Sequence, residues 1–485
     1  MIDLDLTARR ALGIQHVLDS LSPATPYGAA RVRRPHFFSP SEKDALLAEW
    51  RNVAFAMLGL TEHPEAYARL RRVMGTLRDI QGTLRRLSEP ALSEVELFEL
   101  KRFLLQLAEI APIMESLDAG FAGLMITPET AALSLLDPEG KRTVGFAVGG
   151  EKGSALWVVR EEKRVVELAL RTAQDEAERE TLHACRRFLA AREEEEALLA
   201  RATLTEALRP HQAALLADTD AIGRLDYTIA RAEWARAHGA VMPSISESSL
   251  CCVGLRNPET QAALAETGRA FTPVTLEAPV GATVITGANM GGKSVALRTV
   301  AQAALLCQAG FFVCAETAAL PLFDAVHVVA GDLTDAAAGL SSFGGEVLRI
   351  QAILDAVACG AFCLVALDEP ARGTNPHEGA ALVKALVKAL NRARAVTLVA
   401  THYDGVAAFA AAHYRAAGLR DIPEALPPGD PLQHIARHMN YGLERVENEA
   451  EAPREALAIV KLLGLAPGVV ADMERFGAME NSANR

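Results

Sequence analysis

Aromatic side chains and paired cysteines are scarce in this sequence. Phe, Trp and Tyr together make up 5% of the 485 residues. The seven cysteines form no CxxC pair and have no histidine partner at zinc spacing, so we expect reduced, mostly buried thiols. This pattern does not favour a disulfide scaffold or a zinc module.

Basic charge is also lacking, because the chain has a net charge of -12. A nucleic-acid-binding protein usually carries a basic face, since Lys and Arg displace counterions from phosphates. One short segment, "ARVRRPH", could still form such a patch through Arg31, Arg33 and Arg34. The alternative interpretation of this segment is a solvated loop.

Long apolar runs are missing as well. No stretch approaches the roughly 18 uninterrupted apolar residues of a membrane-spanning helix. The N-terminal segment "MIDLDLTARRALGIQ" has neither a basic n-region nor an apolar h-region. We therefore expect a cytoplasmic protein without a membrane partner.

The residues that are abundant indicate a multidomain chain with a helical first half. Apolar residues make up 50% of the sequence, and its length suggests two to four domains. Helical spacing predicts a helical domain over 1–120 and long amphipathic helices over 166–250. Between them, short apolar runs and turn signals such as "DPEG" predict a small β-hairpin insert over 121–165.

From residue 251 to 485 short apolar runs alternate with helical patterns. Examples are "ATVITG" before "GKSVALRTVAQAALLCQAG" and "FCLVALDE" before "HEGAALVKALVKALNRAR". This rhythm predicts an α/β domain with a mostly parallel sheet covered by helices.

A phosphate-binding loop follows the first of these strands. The segment "GANMGGKS" fits the pattern G-x-x-x-x-G-K-[ST], follows the strand "TVIT" and opens a helix. Its backbone N–H groups can surround the phosphates of ATP, Lys293 supplies a positive charge, and Ser294 can ligate Mg²⁺. The expected nucleotide contacts are Gly287, Ala288, Asn289, Met290, Gly291, Gly292, Lys293, Ser294 and Val295.

Two later strand ends predict the hydrolytic groups. In "LVALDE", Asp368 can hold Mg²⁺ while Glu369 orients and deprotonates the attacking water. In "ATHY", His402 lies at another strand end, where an imidazole can hold the water or respond to the γ-phosphate. The alternative for His402 is a structural role.

Five segments in order resemble the ATPase domain of the MutS family, a branch of the ABC-type P-loop ATPases. They are "TGANMGGKSVALRTV", "FVCAETAAL", "GLSSFGGE", "LDEPARGTNPHEG" and "ATHYDG". The helical half is similar to the core, lever and clamp regions of that family. The resemblance therefore implies ATP hydrolysis that moves helical arms.

The resemblance also implies a homodimer through the ATPase domain, with composite ATP sites. It assigns Ser341 to a loop that contacts the γ-phosphate held by the other subunit, and Arg372, Thr374 and Asn375 to the facing loop. Phe271 stands where an aromatic ring could stack on adenine, with a core position as the alternative. Asn257 stands where the family usually has a histidine, so the contact made by that histidine stays open for this chain.

Two partners remain open at this stage. The loop "TGANMGGKS", the segments "ARGTNP" and "SSFGGE", the tail "MNYGLERVENEAEAPREALAIVKLLGL" and the chain length together resemble the ATPase subunit associated with lysine 5,6-aminomutase. The chain also begins with segments similar to core helices and shows no mismatch-reading Phe-x-Glu wedge, so we expect a member of that group. The partner would then be the aminomutase or its reactivase subunit. The alternative is a DNA-binding protein that acts on mismatched or branched DNA.

Overall fold

The computed structural model places the chain in two compact units. The first, the sheet unit, comprises Met1–Leu21, Pro35–Trp50 and Glu233–Arg485, and the second, the helical unit, comprises Ser22–Arg34 and Arg51–Ala232. The residues that the structure describes are 2, 4–117, 120–124, 126–143, 145–149, 152–287, 291–330, 342–419, 438–446 and 456–483. The division into four domains predicted from the sequence stays a prediction.

The described chain is rich in helix and carries two sheets. The helices are α1 (Leu6–Ala11), α2 (Ile14–Asp19), α3 (Pro26–Arg33), α4 (Lys43–Glu62), α5 (Pro64–Met74), α6 (Gln81–Arg85), α7 (Glu94–Ser116), α8 (Thr130–Leu136), α9 (Ala155–Thr172), α10 (Glu176–Leu208), α11 (Gln212–His238), α12 (Pro258–Glu266), α13 (Lys293–Gln308), α14 (Ser342–Ala358), α15 (Pro376–Asn391), α16 (Ala456–Leu462) and α17 (Pro467–Ala483). The strands are β1 (Ser244–Ile245), β2 (Ser249–Leu255), β3 (Val274–Pro279), β4 (Gly281–Thr286), β5 (Thr317–Leu320), β6 (Ala325–Ala330), β7 (Cys363–Asp368), β8 (Ala395–Ala400), β9 (Ala412–Leu419) and β10 (Met439–Arg445). Within the described ranges, no helix has both the length and the apolar character needed to span a membrane.

The larger sheet has the strand order β10-β9-β4-β8-β7-β6. Its strands β9, β4, β8, β7 and β6 run parallel, and β10 adds an antiparallel edge to β9. Every residue of β4 and β8 is buried, as expected for strands covered on both faces. The smaller sheet has the order β1-β5-β2-β3 and is mixed.

Side chains of a strand point alternately to the two faces of the larger sheet, and helices cover both faces. Cys363, Val365 and Leu367 of β7 pack into one core cluster with α14 and α15. Asp368 has the other parity and hydrogen-bonds Ser294 of α13 on the opposite face. The register aligns Asp368 with Ala400, and Ile285 with Ala400, so three carboxyl strand ends meet at one edge.

In the helical unit, α9 and α10 form an antiparallel hairpin. Arg160 pairs with Glu193, and Glu167 pairs with Arg186, so the two sequences run in opposite directions. A Ser93–Glu96 capping box begins the 23-residue helix α7. No strand occurs among the described residues of this unit.

The predicted β-hairpin insert over 121–165 is wrong for the residues that the structure describes. The run "AALSLL" lies in α8 and "ALWVVRE" lies in α9. Ser154 caps α9 by accepting a hydrogen bond from the Trp157 amide, and Leu156 and Val159 become buried at helical spacing. Packing along this helical face outweighs the local β-propensity of Val158 and Val159.

The proline-containing segment at 22–40, part of which the sequence left open as a solvated loop, contains α3. Thr25 caps this helix by accepting from the Gly28 amide, and Pro26 occupies its first turn. The Asp226 carboxylate in turn accepts hydrogen bonds from the amide and hydroxyl of Thr25. These contacts hold α3 in place.

Candidate nucleotide site

The phosphate-binding loop connects β4 to α13. Gly287 has a φ of 136°, and a Cβ there would lie 2.9 Å from the Cβ of Ala416, so glycine is required on both grounds. Gly292 ends the loop at a φ of 85° and caps α13, whose first residue is Lys293. Ala288, Asn289 and Met290 lie outside the described residues.

Lys293 is held inside the loop that precedes it. Its side chain is 4% exposed, and its Nζ donates a hydrogen bond of 2.7 Å to the Gly287 carbonyl. A buried ammonium group is costly unless it is paired. The Lys293 charge is therefore positioned where an anion can bind at the N-terminus of α13.

Ser294 and Asp368 bring two oxygen ligands together. The Ser294 hydroxyl donates to Asp368 Oδ1 at 2.8 Å. Burial raises the pKa of Asp368, and the Ser294 hydrogen bond opposes this rise. Hydroxyl and carboxylate oxygens are ligands that Mg²⁺ accepts, so this pair fits a magnesium site.

Glu369 follows Asp368 in an uncommon backbone conformation. Its φ is 48°, and its N–H donates to the Ala400 carbonyl at 2.9 Å. Its carboxylate lies 3.9 Å from Lys293 Nζ, 3.7 Å from Arg372 Nη1 and 4.0 Å from His402 Nδ1. These separations exceed hydrogen-bond distance, so two cations and the His402 imidazole surround the carboxylate without direct hydrogen bonds to it.

A cavity of about 510 Å³ opens beside these groups. Among the predicted site residues, it is lined by Phe271, Gly291, Gly292, Lys293, Ser294, Val295, Asp368, Glu369 and Arg372. The structure thus brings the predicted phosphate, metal and base residues together with Phe271. Ser341 lies outside the described residues.

His402 and Asn257 have surroundings that the sequence left open. The His402 side chain is 44% exposed and is not part of the cavity wall. Asn257 is buried and caps α12 by accepting a hydrogen bond of 3.0 Å from the Thr260 amide. The capping bond gives Asn257 a structural role at this position.

Tyr441 and Arg269 also line the cavity, and sequence reasoning missed both. Arg269 Nη2 donates to the Tyr441 hydroxyl at 3.1 Å. Tyr441 covers the loop closely, because a Cβ on Gly292 would lie 3.1 Å from its Cδ1. A tyrosine about 150 residues beyond the loop carries no sequence signal for this contact.

Residues 283–423 match the family model for MutS domain V. The DNA mismatch repair protein MutS of Thermus thermophilus is 39% identical over 219 residues, or 45% of this chain and 26% of the relative. MutS of Thermus aquaticus is 36% identical over 251 residues, covering 50% and 29% of the two chains. Endonuclease MutS2 of Streptococcus gordonii is 33% identical over 208 residues, covering 42% and 26%.

The matches span about a quarter of the length of these relatives. The segment that matches the family model, 283–423, includes the loop, β7 and the strand end at His402, which are the elements that build the site. The similarity to MutS domain V therefore covers the part of the chain that carries the candidate nucleotide site.

Proposed function

We propose that this chain binds ATP with Mg²⁺ in the cavity and hydrolyses it to ADP and phosphate. The observation that carries the proposal is the convergence of Lys293, Ser294, Asp368 and Glu369 on one wall. The four side chains come from the N-terminus of α13 and the carboxyl end of β7. Ligands bind at such strand ends in open α/β sheets.

Each side chain has a separate task in this proposal. Lys293 exchanges its bond to the Gly287 carbonyl for contacts with the ATP phosphates. Ser294 and Asp368 hold Mg²⁺, which supplies charge neutralisation on the phosphate oxygens when bound. Val295 extends these contacts into the first turn of α13, where the helix dipole favours an anion.

Glu369 is the proposed base. It lies at the edge of the phosphate cavity, and its carboxylate can accept a hydrogen bond from a water because Lys293, Arg372 and His402 all lie beyond hydrogen-bond distance from it. His402 lies near the same carboxylate and can orient that water. Phe271, on the cavity wall, is the proposed stacking surface for adenine.

The resemblance extends the proposal to a dimer with composite sites. The Arg372 side chain is 70% exposed, so it is accessible to a second copy. Asn375 caps α15 by accepting from the His377 amide, which fixes the turn that holds Thr374. Ser341 of the other copy would complete the site.

Two substitutions test the ATPase proposal. Lys293→Ala should reduce ATP affinity at least tenfold, because it removes the buried cation that faces the phosphates. Glu369→Gln should retain ATP binding and lose hydrolysis, because an amide cannot accept the proton from water. The measurements are ATP titration calorimetry and phosphate release.

Lys388→Ala is the matched control for Lys293, because Lys388 is exposed on α15 and does not line the cavity. It should hydrolyse ATP at the rate of the unmodified chain. Unchanged turnover in Glu369→Gln would remove Glu369 as the base, and unchanged affinity in Lys293→Ala would contradict the phosphate assignment.

A second part of the proposal concerns what the ATP cycle acts on. The reported relatives are named as DNA mismatch repair proteins and as an endonuclease, and these names favour DNA. We therefore propose that the helical arms bind mismatched or branched DNA. The comparisons give no support to an aminomutase or its reactivase subunit as the partner, which stays a prediction from the sequence.

A further inference from the structure

The turn after Asp368 contains two residues in a left-handed conformation that favours glycine. Glu369 has a φ of 48° and Ala371 a φ of 64°. Among the described residues, Arg142 is the other non-glycine residue with a positive φ. Non-glycine residues persist in this region only where their surroundings hold them.

Glu346 holds one side of the Ala371 backbone. The Ala371 N–H donates a hydrogen bond of 2.9 Å to Glu346 Oε1. Glu346 lies in the first turns of α14, 25 residues earlier in the chain. A carboxylate acceptor makes a stronger hydrogen bond than a neutral one, so α14 restrains this turn directly.

Tyr403 holds the other side of the same residue. Its hydroxyl donates to the Ala371 carbonyl at 3.2 Å. Gly379 of α15 leaves the space for this contact, because a Cβ there would lie 2.5 Å from the Tyr403 oxygen and 3.1 Å from the Ala371 carbonyl oxygen. Burial, followed by the charges of Glu346 and Glu369, raises the pKa of Tyr403, so the hydroxyl remains a donor near neutral pH.

The clamp acts next to the proposed base. Ala371 is fully buried and lies two residues after Glu369. The Glu369 N–H is fixed separately by the Ala400 carbonyl. The backbone on both sides of the Glu369 side chain is therefore restrained, which limits the directions that the carboxylate can adopt.

We propose that Glu346 and Tyr403 are positioning residues that hold the Ala371 backbone and thereby aim the Glu369 carboxylate at the attacking water. Neither residue lines the cavity, so each acts through the turn. The inference rests on the proposed ATPase function and adds to it a connection from α14 to the base. A displacement of α14 would release the Ala371 N–H and lower the hydrolysis rate.

The test compares hydrolysis with nucleotide binding in three variants. Glu346→Ala and Tyr403→Phe should each lower kcat, by roughly 10-fold to 100-fold for the first, because misplacing a catalytic group by about 1 Å can cost that much. The Kd for ATP should remain within about twofold of the unmodified chain, because the phosphate contacts are untouched. Glu346→Gln keeps an acceptor oxygen for the Ala371 N–H and should retain most of kcat.

Two matched variants control for general damage. Asp355→Ala removes an exposed carboxylate from the same helix. Tyr414→Phe removes a tyrosine hydroxyl that bonds the Glu277 backbone instead of the turn. Both should keep the original kcat, and thermal denaturation should show that all five variants are folded.

Several results would overturn the inference. These are an unchanged kcat in both Glu346→Ala and Tyr403→Phe, an equal loss in the controls, or a loss of ATP affinity that accounts for the lower rate. An equal loss of activity in Glu346→Gln and Glu346→Ala would also contradict it. Such a result would mean that the negative charge of Glu346 is required, and that a hydrogen bond to the Ala371 N–H is not sufficient. Failure of the unmodified chain to hydrolyse ATP would contradict the proposed ATPase function itself. The preceding results would contradict only the positioning role of Glu346 and Tyr403.

Discussion

Asp218 of α11 is a buried carboxylate with an incomplete set of partners. It is 7% exposed, and within the described residues its Oδ2 has no hydrogen-bond partner. Burial raises the pKa of Asp218 to about 6, opposed by a hydrogen bond from the Thr127 backbone and assisted by the charge of Glu129. The ionised form therefore costs folding free energy.

We expect Asp218→Asn to stabilise the helical unit at pH 8. In the folded chain the Asp218 pKa is about 6, and its ordinary value is 3.8, so the native state binds the proton more tightly. Wild-type stability from this group is fully present below pH 4 and is lost as the pH rises through 6. The gain should be about 1–3 kcal/mol at pH 8 and should vanish near pH 4.

Urea denaturation of both chains at the two pH values measures this gain. Asp220→Asn is the control, because Asp220 lies on the same helix but is exposed and pairs with Arg31. It should show no stabilisation at pH 8. An Asp218→Asn effect of equal size at both pH values would contradict the assignment of the cost to ionisation.

At the scale of single residues, the sequence predicted those site residues that belong to short motifs. Lys293, Ser294, Asp368 and Glu369 were found because each has a fixed place in a strand-loop-helix pattern. Tyr441, like Glu346 and Tyr403, was not assigned a role, because its contact depends on how distant segments fold together. The position of Tyr441 follows from strand pairing and helix packing. The local spacing of residues in the sequence does not predict either.

At the scale of elements, the hairpin of α9 and α10 contains an ion-pair cluster in its seam. Glu193 accepts from Lys163 Nζ at 2.6 Å and from Arg160 Nε at 3.1 Å. Its side chain is 22% exposed, and the Lys163 hydrogen bond contributes most to lowering its pKa. The Lys163 and Arg160 side chains are themselves partly buried.

A run of four glutamates such as 193–196 is typical of a solvated face, and Glu193 departs from that pattern. Glu193 points into the seam, and Glu194 and Glu195 are exposed. Consecutive helical residues are separated by about 100°, so a run of four like charges must cover more than one face. The same argument applies to α9, where Val158 is exposed and its neighbour Val159 is buried.

We expect Glu193→Ala to destabilise the hairpin by about 1–2 kcal/mol, because it leaves two partly buried cations without this carboxylate. Glu195→Ala removes the same charge from an exposed position on the other side of α10 and should change stability by less than about 0.5 kcal/mol. Hydrogen exchange of α9 and α10 amides measures the difference locally. Equal protection in the two variants would mean that the seam contacts add nothing to stability.

At the scale of the whole molecule, the proposed binding of DNA has to be reconciled with a net charge of -12. Two features bear on the segment "ARVRRPH", which is the candidate basic patch. Arg31 is paired with Asp220, and Arg34 is exposed immediately after α3. A DNA contact through this segment therefore depends more on Arg34 than on Arg31, because Arg31 would first have to give up its carboxylate.

We expect the chain to bind mismatched or junction DNA more tightly than homoduplex, with affinity that falls between about 50 and about 200 mM salt. Arg34→Ala should reduce the slope of log affinity against log salt concentration by about one, because one phosphate contact is lost. It should weaken binding to mismatched, junction and homoduplex DNA alike. Arg179→Ala, which removes an exposed arginine from α10, is the control.

Titrations with and without ATP measure both the affinity and its dependence on nucleotide. DNA binding that responds to ATP in the unmodified chain, and not in Lys293→Ala, would couple DNA affinity to the nucleotide cavity. Absence of DNA binding at low salt would reject DNA as the substrate.

Pull-down of aminomutase subunits with and without ATP would then test the partner predicted from the sequence. An acidic chain needs no basic surface to act on a protein, so the same proposed ATP cycle fits this partner as well.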